Sequence, residues 1–101
     1  MANIAVVFHA LADPTRRELM ERLAKRPLAV GELAKGLPVT RSAVSQHLKV
    51  LKGSGLVLLH RSGNRHLYQV DPRGVEAIRK YLDRIWDKAL FSYKSFVESS
   101  E

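Results

Sequence analysis

The sequence predicts a mainly α-helical chain with one small β-hairpin, an α+β mixture in which helices dominate. Three observations carry this expectation. Apolar residues recur at three- and four-residue spacing along most of the 101 residues. The pair Asp-Pro occurs twice, at 13–14 and 71–72, each time as an acid that can cap a helix followed by a proline that fits its first turn. Only between residues 56 and 70 does the pattern change, to two runs of β-branched, aliphatic and aromatic residues around Gly63-Asn64.

Taken in order, Ile4, Val7, Phe8 and Leu11 lie on one helical face and predict a short helix over 4–11. Asp13-Pro14 opens a second helix that runs to about Arg26, with Leu19, Leu23 and Met20 inward, and Pro27 ends it. A third helix is expected over 30–36, with Leu33 and Ala34 inward, although the start at Val30 lacks a capping side chain. The stretch LPVT at 37–40 is a turn. Pro38 cannot continue a helix, and the Thr40 hydroxyl can accept from free N–H groups of the next one. That fourth helix buries Val44, Leu48 and Leu51, and Lys52-Gly53-Ser54-Gly55 stops it with a glycine for the left-handed cap. LVLLHRS and RHLYQV form the hairpin. Asp71-Pro72 then opens a last helix that reaches about Val97 and spans ~35–40 Å.

The last helix carries more apolar edge than a chain of this size covers. Val75, Ile78, Leu82, Ile85, Ala89 and Phe96 keep a spacing near 3.5 residues, widened by Trp86, Leu90 and Tyr93. The surplus predicts a partner helix, most simply that of a second copy, with helix 4–11 joining the interface. The expected interface residues are Phe8, Leu11, Ile78, Leu82, Ile85, Trp86 and Ala89.

Length argues for a single domain over 1–101, with the helix pair at 30–53, the hairpin at 56–70 and the last helix at 72–97. Cysteine is absent, which removes disulfides and thiolate metal sites and permits a reducing compartment. No apolar run approaches the ~20 residues of a membrane span. The stretch MANIAVVFHALADP has no basic residue before its apolar part, so a secretory leader is not expected and the cytoplasm is.

The net charge of +7 is unevenly placed. Residues 1–39 hold six Lys/Arg against four acids, and residues 71–101 hold six against six. Residues 40–70 hold five and no acid. An acid-free basic block suits a polyanion partner better than an ordinary solvated face. Within it, Ser42, Ser45, Gln46 and Lys49 share one face of the fourth helix. Short polar groups without acids are what a helix needs to enter a DNA major groove. Ser42, Ser45 and Gln46, with His47, are the candidates for base edges. Thr40, Arg41, Lys49, Arg61 and Arg65, with His66, are the candidates for phosphates. The hairpin tip, with Arg61, Arg65 and His66, reads as a wing beside that helix.

Helix, helix, helix–turn–helix, wing, helix is the order of a winged helix-turn-helix. Three stretches, LADPTRRELMERL at 11–23, VTRSAVSQHLKVLKGSGLV at 39–57 and RSGNRHLYQVDP at 61–72, resemble the ArsR family of bacterial transcriptional repressors. The resemblance implies a homodimer on double-stranded DNA, bound to an inverted-repeat operator. It implies the helix after Thr40 in the major groove, residues 57–69 as the wing, and dimerisation through the first and last helices.

Many members of that family sense metals, and here the chain departs. Where one family site has cysteines this chain has Val30-Gly31-Glu32-Leu33-Ala34. For the other, Asp83 and Asp87 are present on the last helix but no His follows His66. Carboxylates one turn apart are weak transition-metal ligands and suit Lys80, Arg84 or Lys88 better. No metal and no cofactor is expected, and no inducer is legible.

Enzyme chemistry finds no support. Ser45 and His47 point in different directions on one helix, no acid is near to orient the imidazole, and the four histidines are scattered. Two other readings stay open. One is a protein-interaction module on the same scaffold, which has no reason to keep 40–70 free of acids. The other adds a ligand pocket between the last and first helices lined by Phe8, Trp86 and Phe91, residues that also suit the interior of a dimer interface.

Overall fold

The computed structural model describes residues 3–100. Five helices and a hairpin follow in the order α1 Ile4–Leu11, α2 Pro14–Leu23, α3 Val30–Ala34, α4 Arg41–Gly53, β1 Val57–Ser62, β2 Arg65–Val70 and α5 Pro72–Ser99.

Local side chains set most helix starts. Asn3 Oδ1 accepts from Ala5 N–H at 2.9 Å, Asp13 from Thr15 at 2.8 Å and Asp71 from Arg73 at 3.0 Å. Thr40 Oγ1 accepts from Ala43 N–H at 3.0 Å and opens α4. Each satisfies a donor that the helix itself leaves free. Ala29 at the start of α3 has no such side chain. Glu32 compensates, its Oε1 accepting from Ala29 N–H at 3.0 Å.

Three boundaries differ from expectation. α2 ends at Leu23, not Arg26, because Pro27 disfavours helical backbone in the residue before it and the chain tightens into a turn. Lys25 N–H there reaches only back to Arg22 O, at 3.2 Å. α3 ends at Ala34, not residue 36, because Gly36 turns the chain with φ +76°. α5 runs to Ser99, two residues past Val97. The left-handed residue after α4 is Gly55, φ +82°, while Gly53 stays helical.

The strands pair antiparallel from Val57↔Val70 to Ser62↔Arg65, around a two-residue loop with Gly63 at φ +62°. A feature absent from the sequence expectations extends this sheet. Leu28, just before α3, exchanges two hydrogen bonds with Tyr68, at 3.0 and 2.8 Å. The approach to α3 is thereby tied to β2.

The core gathers Val7, Ala10, Leu19, Leu23, Leu28, Leu33, Val44, Leu48, Leu51, Leu56 and Val57. α3 and α2 both pack on α4. Leu33 is fully buried and Ala34 half-buried, as their positions predicted. α5 begins inside this body. Asp71 N–H bonds Leu56 O at 2.9 Å and Gly74 N–H bonds Gly55 O at 2.9 Å. Beyond Tyr81 every described residue of α5 is exposed, and the molecule measures 65 × 27 × 22 Å.

Candidate nucleic-acid interface

α4 is held by its buried stripe, Val44, Leu48 and Leu51, so the opposite face is presented outward. Ser42, Ser45, Gln46 and Lys49 are all exposed there, with Thr40 and Arg41 at the helix start. No acid interrupts the face. The Arg41 guanidinium lies over the start of α3. A Cβ added to Gly31 would sit 3.5 Å from its Cζ.

His47 differs from its neighbours. It is half-buried, and its Nδ1 lies 3.4 Å from Arg16 Nη1. The helical period explains this: His47 is three residues after Val44 and four before Leu51, on the flank of the buried stripe. Arg16 also donates to the carbonyls of Ala10 and His9, at 2.5 and 3.2 Å, and so joins the end of α1, the start of α2 and α4.

The hairpin brings Arg61 and His66 opposite one another at its outer end, both exposed. Arg61 Nε donates to Gly63 O at 3.1 Å and stiffens the tip. Arg65 is not a free cation. Its Nη2 donates to Glu32 Oε1 on α3, and Glu32 Oε2 faces Arg26 Nη1 at 3.5 Å. The Ala29 N–H, then the charges of Arg65 and Arg26, hold the Glu32 carboxyl below the usual carboxylate range. The sequence expectations passed over Glu32. A sign of it was present: it is the one acid between Glu21 and Asp71, three residues past an uncapped helix start.

The second surface is apolar. Leu82, Ile85 and Trp86 are 53, 48 and 63% exposed on α5, Ala89 and Phe8 are exposed as well, and Leu90, Tyr93 and Phe96 continue the stripe. Leu11 and Ile78, expected at the same surface, are half-buried and pack partly against the core of their own chain. Phe8 meets Tyr81 edge-on, ring centroids 5.3 Å apart.

Phe8, Trp86 and Phe91, the lining of the alternative ligand pocket, are all exposed on the single chain. Trp86 and Phe91 are five residues apart, hence about 140° apart around the helix, and face different sides. A surface cavity of about 320 Å³ lies elsewhere, against Asn3, Val6, Lys52–Gly55 and Arg73. Asp83 pairs with Arg79 at 3.5 Å, not with Lys80, Arg84 or Lys88, and the Arg84 guanidinium sits 5.7 Å from the centre of the Tyr81 ring. Among the described residues, no three of His, Asp or Glu converge as a metal site, and no helix is long and apolar enough to cross a membrane.

A helix pair with a hairpin beside its second helix, flanked by helices at both ends, defines a winged helix-turn-helix regulator. The comparison with known proteins agrees. The bacterial regulatory protein family named arsR matches residues 13–58. Over 92 residues the chain is 56% identical to the HTH-type transcriptional regulator Rv2034 of Mycobacterium tuberculosis, covering 91% of this chain and 86% of that one. An ArsR-like transcriptional regulator from Rhodococcus sp. RHA1 superposes with a TM-score of 0.76 at 33% identity, over 92% of this chain and 91% of that one. The homodimeric winged helix-turn-helix DNA-binding domain of a possible ArsR-family regulator from Mycobacterium bovis superposes with a TM-score of 0.67 at 29% identity, over 86% and 81% of the two chains. The chain belongs to the ArsR family of bacterial regulatory proteins.

Proposed function

We propose that this regulator is a single-domain cytoplasmic repressor that binds an inverted-repeat operator as a homodimer and has no enzymatic activity. The observation that carries the reading is the exposed face of α4, polar, basic and without acids, beside a hairpin whose tip carries Arg61 and His66. Ser42, Ser45 and Gln46 read base edges in the major groove. Gln46 suits adenine, whose N6 and N7 it can meet with its two amide groups. Thr40, Arg41, Lys49, Arg61, Arg65 and His66 hold phosphates and fix the register without reading sequence. His47, leaning on Arg16, steadies α4 more than it reads.

The stripe Phe8, Leu82, Ile85, Trp86 and Ala89 is the dimer surface, continuous along α5 and too broad to stay in water on a monomer. The homodimeric Mycobacterium bovis domain of the same fold supports this assignment. Repression then follows from occupancy, since a bound dimer excludes other proteins from its stretch of duplex.

Selection of binding sites from a pool of random duplexes tests the reading. The expected result is an enriched inverted repeat with half-sites about 34–36 Å apart. No enrichment at low salt, or enrichment of an unpaired half-site, overturns it. Failure to bind any duplex with the fold intact favours the protein-interaction module.

A further inference from the structure

Residues 22–70 contain one acid, Glu32, and it is turned toward Arg65 and Arg26. Its carboxylate does three things at once. Oε1 accepts from Ala29 N–H, closing the start of α3. The same oxygen accepts from Arg65 Nη2 on β2, and Oε2 faces Arg26 Nη1 at 3.5 Å. The pair with Arg65 crosses from the helix pair to the wing, between residues 33 positions apart in sequence. Both partners keep water contact, with side chains 35 and 58% exposed, so the pair can open without stranding a buried charge.

We propose that Glu32 is an internal stand-in for a DNA phosphate that sets the affinity of the interface by occupying Arg65 until a duplex displaces it. The proposal rests on the DNA-binding reading above and names a regulator of that same surface. A carboxylate and a phosphate present similar oxygens to a guanidinium, so the two compete for one donor set. Arg26 makes the exchange practicable. When Arg65 turns to the backbone of the duplex, Glu32 keeps a cation at its other oxygen and its cap on Ala29, and α3 need not move.

The consequence is a ceiling on non-specific binding. Each phosphate neutralised steepens the dependence of log K on log salt by ~0.9. A wing arginine shared with a carboxylate delivers only part of that. Glu32→Gln keeps an oxygen to accept from Ala29 N–H and removes the charge.

The test is a salt titration of binding to a fluorescently labelled random-sequence duplex by wild type, E32Q, R65Q and the double variant, with thermal melts of all four. E32Q is expected to bind ~2–5-fold more tightly at low salt and to steepen the slope by up to ~1 unit. R65Q is expected to weaken binding and flatten the slope by ~1 unit. In the R65Q background, E32Q is expected to change little. Unchanged or weaker binding by E32Q overturns the proposal, and so does an equal gain with and without Arg65, which marks a general charge effect. R65Q, altered on the exposed strand end, keeps the test decisive if E32Q lowers stability: a flat response to R65Q also overturns it. Wild type that binds no duplex removes the DNA-binding reading together with this proposal, whereas a binding wild type with an inert E32Q removes this one alone.

Discussion

At the scale of single residues, one step along α4 separates Gln46, exposed, from His47, half-buried against Arg16. Their variants should therefore fail differently. Gln46→Ala should relax base preference at one position of each half-site, a discrimination of ~1–3 kcal/mol, with an unchanged melting temperature. His47→Ala should lower the melting temperature and leave base preference in place. Comparing enriched sites and melts for the two variants checks both statements. The sequence expectation set both among the base-edge residues, although His47 stands at helical spacing from Val44 and Leu51 and so on the flank of the buried stripe. Arg16 as its neighbour was not legible, because the contact joins residues 31 positions apart.

The carboxylates give a second prediction at this scale. Asp71 is almost fully buried, and the Arg73 guanidinium beside it holds its carboxyl below the usual range. The N–H of Arg16 does most to lower Asp13, and that of Ala29 to lower Glu32. A carboxyl lower in the folded than in the unfolded chain stabilises the fold above its unfolded pKa and ceases to as pH falls through the folded one. Stability should thus be level near neutrality and fall once pH drops below about 4. Asp71→Asn should start lower and lose less in acid, which thermal melts across that range would show.

At the scale of elements, the start of α5 lies close against the backbone that follows α4. A Cβ on Gly74 would lie 2.5 Å from Gly55 O, a backbone atom that cannot turn aside. Gly74→Ala should cost about 1–3 kcal/mol by forcing the helix away, measured by denaturant unfolding. Gly53→Ala, with open space around it, should cost nothing comparable. Helix starts with their own capping side chain were legible, as at Asp13, Thr40 and Asp71. The ends of α2 and α3 were less so, because a turn closes each before the apolar spacing runs out. The Leu28–Tyr68 bridge left no pattern to read, being one residue wide and joined across 40 positions.

At the scale of the molecule, α5 extends beyond the body with its apolar side uncovered, about 42 Å of helix from Pro72 to Ser99. Trp86→Glu should place a charge in the middle of the proposed dimer surface. Sedimentation should then report a monomer, and operator affinity should drop by about 10²–10⁴-fold, the gain that linking two half-sites supplies. A dimer that survives the change would move the interface elsewhere. The stripe itself was legible from spacing. Phe91, five residues from Trp86, lies about 140° away around the helix, an angle that aromatic character alone does not reveal.

The bridge between Leu28 and Tyr68 has one more effect. It splices the hairpin to the segment leading into α3, so the wing cannot swing on its own while α3 stays packed on α4. In the proposed dimer two such units would work as the jaws of a caliper, and the fit to a duplex is then expected to be adjusted by the opening between them more than by bending within either one.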